Sequence, residues 1–209
     1  MKLGIVDRLP EEIRNRSIAL NISKGQRLFR RGDRSDSTYL IRQGRFQEIS
    51  YPEEGKIAVL QTLGEGEALG ESSLYYRVYH STVIAQTDAQ VIAYPNYILL
   101  EALQEYPSTI DLTIEMLAQK IYEQQARLEW RNISLAHRRV LKYLQHKLEK
   151  LSNGEEDSQT LTLDAPLQEI AAELGFVPGT LSRALAKLET DRQITRDNNT
   201  ITVHGVDAA

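Results

Sequence analysis

The chain has 209 residues, 41% of them hydrophobic and 26% charged, and a net charge of −4; this suffices for one large folded domain or two small ones, and any nucleic-acid binding must come from a local surface rather than a global basic field. The absence of cysteine excludes disulfides, thiolate-held iron–sulfur clusters, Cys-type zinc sites and cysteine nucleophiles. No apolar run approaches the roughly 20 residues of a membrane span, and the acidic opening MKLGIVDRLPEEIR is unlike a secretion signal, so a cytoplasmic protein without membrane contact is expected.

Residues 17–94 read as a β-domain. Short runs at Thr38–Arg42, Phe46–Tyr51, Lys56–Leu63, Ser81–Gln86 and Gln90–Tyr94 are separated by turn residues, and glycines at 25, 32, 44, 55, 64, 66 and 70 fit hairpin turns of a compact antiparallel roll or barrel. From Tyr97 to His146 there is no glycine and one proline, Pro107, which predicts long helices. Within them Ile110, Ile114, Leu117, Ile121, Gln124 and Leu128 are spaced 4, 3, 4, 3 and 4 residues apart. This is a heptad seam, which wants a partner helix; one amphipathic helix packed on its own β-domain is the alternative. Polar Gln124 inside the seam shifts the balance, because such a residue sets register in a dimer or faces a ligand.

A further helix is predicted over Ile133–Leu151, followed by the acidic connection NGEEDSQ from Asn153 to Gln159. The stretch LQEIAAELGFVPGTLSRALAKLE then clusters Gly175, Pro178 and Gly179 inside a helical pattern. These breakers are favoured if Leu167–Leu174 and Pro178–Leu188 are two helices, with Gly175 left-handed between them and Pro178 in the first turn of the second. Ile170, Leu174, Phe176, Leu181 and Leu185 can then meet between the helices, and small Ala171 permits close crossing. An ordinary helical hairpin would show the same pattern, so the exposed residues decide. Thr180, Ser182, Arg183 and Lys187 lie off the apolar stripe, where a recognition helix faces the major groove. Arg183 suits bidentate contact with guanine, and Thr180 and Ser182 suit phosphates or base edges. Gln168, Pro178 and Gly179 complete the predicted surface. Ile194 and ITVHG, from Ile201, flank a turn of Arg196–Asn199 and suggest a wing in which Arg196, Asn198 and Asn199 touch phosphate.

Taken together, KGQRLFRRGDRSDSTYLIRQG (Lys24–Gly44), GEGEALGESSL (Gly64–Leu74) and TLSRALAKLE (Thr180–Glu189) resemble, over the whole chain, the Crp/Fnr superfamily of bacterial transcription regulators, which includes the cyclic-AMP receptor protein. The resemblance implies an α+β chain: an antiparallel β-roll effector or sensor domain over 1–107, a dimerisation helix over 108–133 and a winged helix–turn–helix DNA-binding domain over 134–209. It implies a homodimer on a two-fold symmetric double-stranded DNA operator, with RNA polymerase a partner of any activator. It also makes Gly70, Glu71, Ser72 and Ser73 the start of a phosphate cassette.

Two departures qualify the resemblance. Cyclic-nucleotide-binding members carry arginine about ten residues after the cassette glutamate, whereas here His80 stands there, followed by Ser81; neutral histidine lacks arginine's fork and permanent charge. Gln124 and Gln125 match the base-contacting part of the dimer helix. The reading is therefore a regulator that is not a conventional cyclic-AMP sensor, with a different small anion or no ligand as its effector and a cyclic nucleotide kept as the lesser alternative. The second departure is Gly179, where many relatives place a glutamate that reads cytosine. The four histidines, His80, His137, His146 and His204, form no haem- or metal-binding pattern. No triad, Walker loop, HExxH motif or acid pair marks an enzyme. The competing non-enzymatic reading is a cyclic-nucleotide-sensing module acting through a protein partner.

Overall fold

The computed structural model describes residues 9–53, 57–152, 159–163 and 165–204. The opening MKLGIVDR, Gly55, Lys56, residues 153–158 of the acidic connection and Gly205 lie outside the described residues. The chain is α+β and divides into two compact units, 1–119 and 120–209, each with a core of its own.

In the first unit, α1 (Glu11–Asn15) precedes eight strands: β1 (Ile18–Ile22), β2 (Arg27–Phe29), β3 (Ser37–Gln43), β4 (Phe46–Ser50), β5 (Ala58–Leu63), β6 (Ala68–Leu69), β7 (Thr82–Ala85) and β8 (Ala89–Pro95). They form two antiparallel four-stranded sheets, in the orders β1-β8-β3-β6 and β2-β7-β4-β5. Phe29, Ile41, Phe46, Leu69, Val83 and Val91 fill a shared core. The five predicted runs appear as β3, β4, β5, β7 and β8; β1, β2 and β6 are additional. In β1 only Ile22 is buried, so this edge strand lacks the alternation that would reveal it. The register of β4 against β5 shifts between Glu48 and Ile49: Glu48 faces Gln61, and Ile49 faces Val59. Leu60 is thus the extra residue of a β-bulge, a device that re-aims neighbouring side chains.

Helix α2 (Asn96–Glu105) ends where it must. Tyr106 is extended, at φ −121°, as the residue before a proline prefers, and Pro107 then opens α3 (Pro107–Arg131), where its missing N–H costs nothing. Along α3 the predicted seam faces outward: Ile114, Ile121 and Leu128 are 60%, 59% and 65% exposed, while Gln124 is exposed as well.

In the second unit α4 (Ala136–Ser152) starts three residues later than the predicted Ile133. The Ile133 amide closes the end of α3 on the Trp130 carbonyl at 3.0 Å, and its own carbonyl accepts from Arg139 Nε at 2.9 Å, which holds the backbone out of the helix. Val140, Tyr143, Leu144 and Leu148 form the buried stripe of α4. His146 is buried against the rings of Tyr122 and Trp130, 5.6 and 5.3 Å away, and burial pushes its pKa below the ordinary histidine value. Then follow β9 (Thr160–Thr162), α5 (Leu167–Glu173), α6 (Pro178–Thr190), β10 (Ile194–Asp197) and β11 (Thr200–Val203). The expected terminal strand pair is a three-stranded sheet, β10-β11-β9, because Thr160–Thr162 buries Leu161 and pairs with Thr200–Thr202.

Candidate DNA-recognition and effector sites

The connection between α5 and α6 is built by its three breakers. Gly175 is left-handed, φ +72°, as predicted. The Phe176 amide donates to the Ala171 carbonyl at 2.7 Å and the Gly175 amide to Ala172 at 3.1 Å, the paired closure of a Schellman motif. Pro178 follows in the first turn of α6. Ile170, Ala171, Leu174, Leu181 and Leu185 are buried between and behind the helices, but Phe176 is only partly buried. Its ring lies under the Arg139 guanidinium, 4.7 Å from the centroid.

On the outer side of α6, Ser182, Arg183 and Lys187 are exposed and Thr180 is half-buried. Arg183 folds along its own helix, Nε donating to the Gly179 carbonyl at 3.1 Å and NH2 to Thr180 Oγ1 at 3.4 Å. Ser182 donates back to the Pro178 carbonyl at 3.3 Å. Two of the predicted cations carry partners: Lys187 pairs with Asp191 at 2.9 Å, and Arg196 pairs with Glu189. The hydrogen bond from Arg196 holds the Glu189 carboxyl below the usual carboxylate range. The hairpin tip is Asn198–Asn199, with Asn198 left-handed at φ +53°, a conformation asparagine tolerates in tight turns. Asn198 and Asn199 are both exposed, but Asn199 is also tied to Leu163: its carbonyl accepts from the Leu163 amide at 2.8 Å and its side chain donates to the Leu163 carbonyl at 3.4 Å. Gln168 is exposed on α5.

Behind this surface lies a cluster that sequence reasoning missed. Arg127 of α3 reaches Glu173 of α5 at 3.5 Å, with side chains 10% and 4% exposed. Arg131 donates to the Glu173 carbonyl, and Arg139 to the Leu174 carbonyl, each at 3.0 Å. Three guanidiniums thus converge on the C-terminal end of α5, where unsatisfied carbonyls favour positive charge.

In the β-domain, Gly70 adopts φ +80° and opens a single 3-10 turn, Glu71–Ser73. A Cβ at Gly70 would stand 3.0 Å from the Tyr79 ring, so the position needs glycine for space as well as conformation. The turn uses its own amides, Ser73 donating to the Gly70 carbonyl and Leu74 to Glu71 at 3.0 and 3.1 Å. Ser73 is buried and Ser72 exposed. His80 is exposed and sits edge-on to Tyr76, with ring centroids 4.7 Å apart. Ser81 is buried, and its hydroxyl donates to Glu48 Oε1 at 2.5 Å; Gln61 Nε2 donates to Glu48 Oε2, also at 2.5 Å. A carboxylate therefore stands at the serine of the predicted phosphate cassette. Glu48 and Gln61 are not among the residues predicted for this site, although polar residues inside otherwise apolar strands are a signal the sequence carries. Gln124 and Gln125 are exposed on α3, within the second unit. Among the described residues no group of three His, Asp or Glu side chains could hold a metal ion, and no helix is long and apolar enough to cross a membrane.

Residues 19–106 match the cyclic nucleotide-binding domain family. Patatin-like phospholipase domain-containing protein 7 of Mus musculus is 27% identical over 121 residues, 56% of this chain but 9% of that protein, so the chain spans a small fraction of the curated relatives it matches. FixK2 from Bradyrhizobium japonicum superposes with a TM-score of 0.74 at 17% identity, over 92% of this chain and 98% of that one. TTHB099, a CRP-family transcriptional regulator from Thermus thermophilus, gives 0.63 at 19% identity, over 88% and 91%. The fold is that of the Crp/Fnr regulators. CLP, a c-di-GMP responsive global regulator from Xanthomonas campestris, shares the Crp/Fnr fold with a TM-score of 0.68 at 20% identity, over 92% and 96%.

Proposed function

We propose that this chain is a homodimeric, sequence-specific DNA-binding transcription regulator of the Crp/Fnr type whose β-domain is not a conventional cyclic-AMP sensor. The observation that carries the reading is the outward row Thr180, Ser182, Arg183 and Lys187 on α6, displayed by a closed α5–turn–α6 unit and followed by a hairpin. Arg183 reads guanine. Its present hydrogen bonds are intrahelical and exposed, so exchanging them for a base edge costs little. With Lys187 and Arg196 already paired, the recognition surface of one copy carries little unneutralised positive charge and binds duplex weakly. Two copies joined along the exposed seam of α3 double the phosphate contacts.

Selection of bound sequences from a random duplex library tests this. The expected product is an inverted repeat with half-sites about one helical turn, roughly 10 bp, apart. Arg183→Ala should weaken the selected site by about 1–3 kcal/mol per half-site and relax one guanine position, while the dimer persists. Failure to enrich any sequence would overturn the reading, and an unchanged affinity in Arg183→Ala would remove Arg183 from it.

The cassette geometry argues against a cyclic phosphate. Bringing a phosphodiester beside Ser81 places it next to Glu48, and two anions sharing a partly buried site repel. The Glu48–Ser81 and Glu48–Gln61 hydrogen bonds would also have to break. Calorimetric titration with cyclic AMP should show no saturable heat; micromolar or tighter affinity would contradict this.

A further inference from the structure

The first unit contains a cavity of about 80 Å³ between β3, β8, α2 and the opening turns of α3. Leu40, Leu74, Leu99, Leu103, Leu112 and Met116 supply most of its wall. Thr109 also lines it, is 2% exposed, and has a buried hydroxyl without a hydrogen-bond partner. Buried hydroxyls in native proteins are nearly always partnered. One χ1 rotamer of a helical threonine returns the hydroxyl to the i−3 or i−4 carbonyl and the other does not; in the latter Thr109 can present its hydroxyl to the cavity, where it would both donate and accept. Glu71 forms another part of the wall, and its carboxylate disfavours an anionic guest. Apolar cavities of about 150 Å³ stay dry and accept benzene; this one is smaller and open at its mouth, which suits a slim guest held by its apolar end.

We propose that this cavity binds a small neutral molecule with an apolar body and one hydroxyl, of the phenol or short-alcohol class. The site shares no side chain with the Glu48–Gln61–Ser81 cluster, and it stands whether or not the chain binds DNA. The guest's hydroxyl meets Thr109, its body lies against Leu99, Leu103 and Leu112, and Glu71 excludes carboxylates and phosphates.

Ligand-detected NMR titration of the full chain with phenol, benzene and benzoate tests this. Phenol should bind saturably and about tenfold more tightly than benzene, the increment of one hydrogen bond, and benzoate should not bind. Thr109→Val, which keeps the side-chain shape, should reduce phenol to the benzene level, and Ala68→Leu, which adds bulk to the cavity wall, should abolish both. Absence of saturable phenol binding, equal affinity for phenol and benzene in the unmodified chain, benzoate binding as tight as phenol, or phenol binding that survives Ala68→Leu would each overturn the proposal. The unmodified chain alone supplies three of these outcomes, so the test stands even if a variant fails to fold.

Discussion

Glu173→Ala is expected to destabilise the second unit by about 3–5 kcal/mol, the range for removing one partner of a buried ion pair. The size follows from what the substitution leaves behind. Arg127 would keep a buried guanidinium without the carboxylate now 3.5 Å away, and the loss would extend to its neighbours. Arg131 is half-buried; burial lowers its pKa, Arg127 and Arg139 lower it further, and Glu173 opposes them. Deleting Glu173 therefore removes the charge that tolerates three arginines at one helix end. Glu173→Gln keeps an acceptor for hydrogen bonding and should fall between the two. Chemical denaturation followed by the fluorescence of Trp130, 2% exposed in this core, measures both. A loss below about 0.5 kcal/mol in Glu173→Ala, the range of ordinary surface substitutions, would show that the pair contributes nothing to stability.

The double substitution Ile114→Glu, Ile121→Glu should convert the chain to a monomer and lower affinity for the selected duplex by at least a thousandfold. Both isoleucines are about 60% exposed in the single chain, so the fold of the monomer itself loses little, and the melting temperature should fall only by what dimerisation contributes and cease to depend on protein concentration. In a paired seam they are core residues. Four isoleucines per dimer, each about 60% exposed and so contributing roughly 1–2 kcal/mol on burial, would be replaced by carboxylates, among which those brought face to face repel. A thousandfold loss corresponds to roughly 4 kcal/mol, the lower end of that sum before the repulsion is added. An unchanged dimer would place the interface elsewhere.

Much of the fold was legible because its signals are local. Turn glycines separated the strands, the glycine-free run from Tyr97 marked the helices, and Gly175 with Pro178 fixed the break between α5 and α6. What escaped was short, lay at an edge or came from distant residues. Strand β6 has two residues and β9 three, too few for a period to show. The Arg127–Glu173 pair joins positions 46 apart, and nothing in LQEIAAE distinguishes a buried glutamate from a solvated one. Glu48 and Gln61 meet only through the register of β4 on β5, which places a carboxylate beside Ser81. His80, singled out by its place in the sequence, is exposed against Tyr76; the anion-repelling group is Glu48, from another strand.

In the proposed regulator two chains, paired along α3, present twin α6 helices to one duplex. Sedimentation of the unmodified chain, alone and with the selected duplex, tests it most directly. The expected result is a species of twice the chain mass at micromolar concentration, and two chains per duplex at saturation. A monomer in the absence of DNA, together with one chain per duplex in its presence, would contradict it.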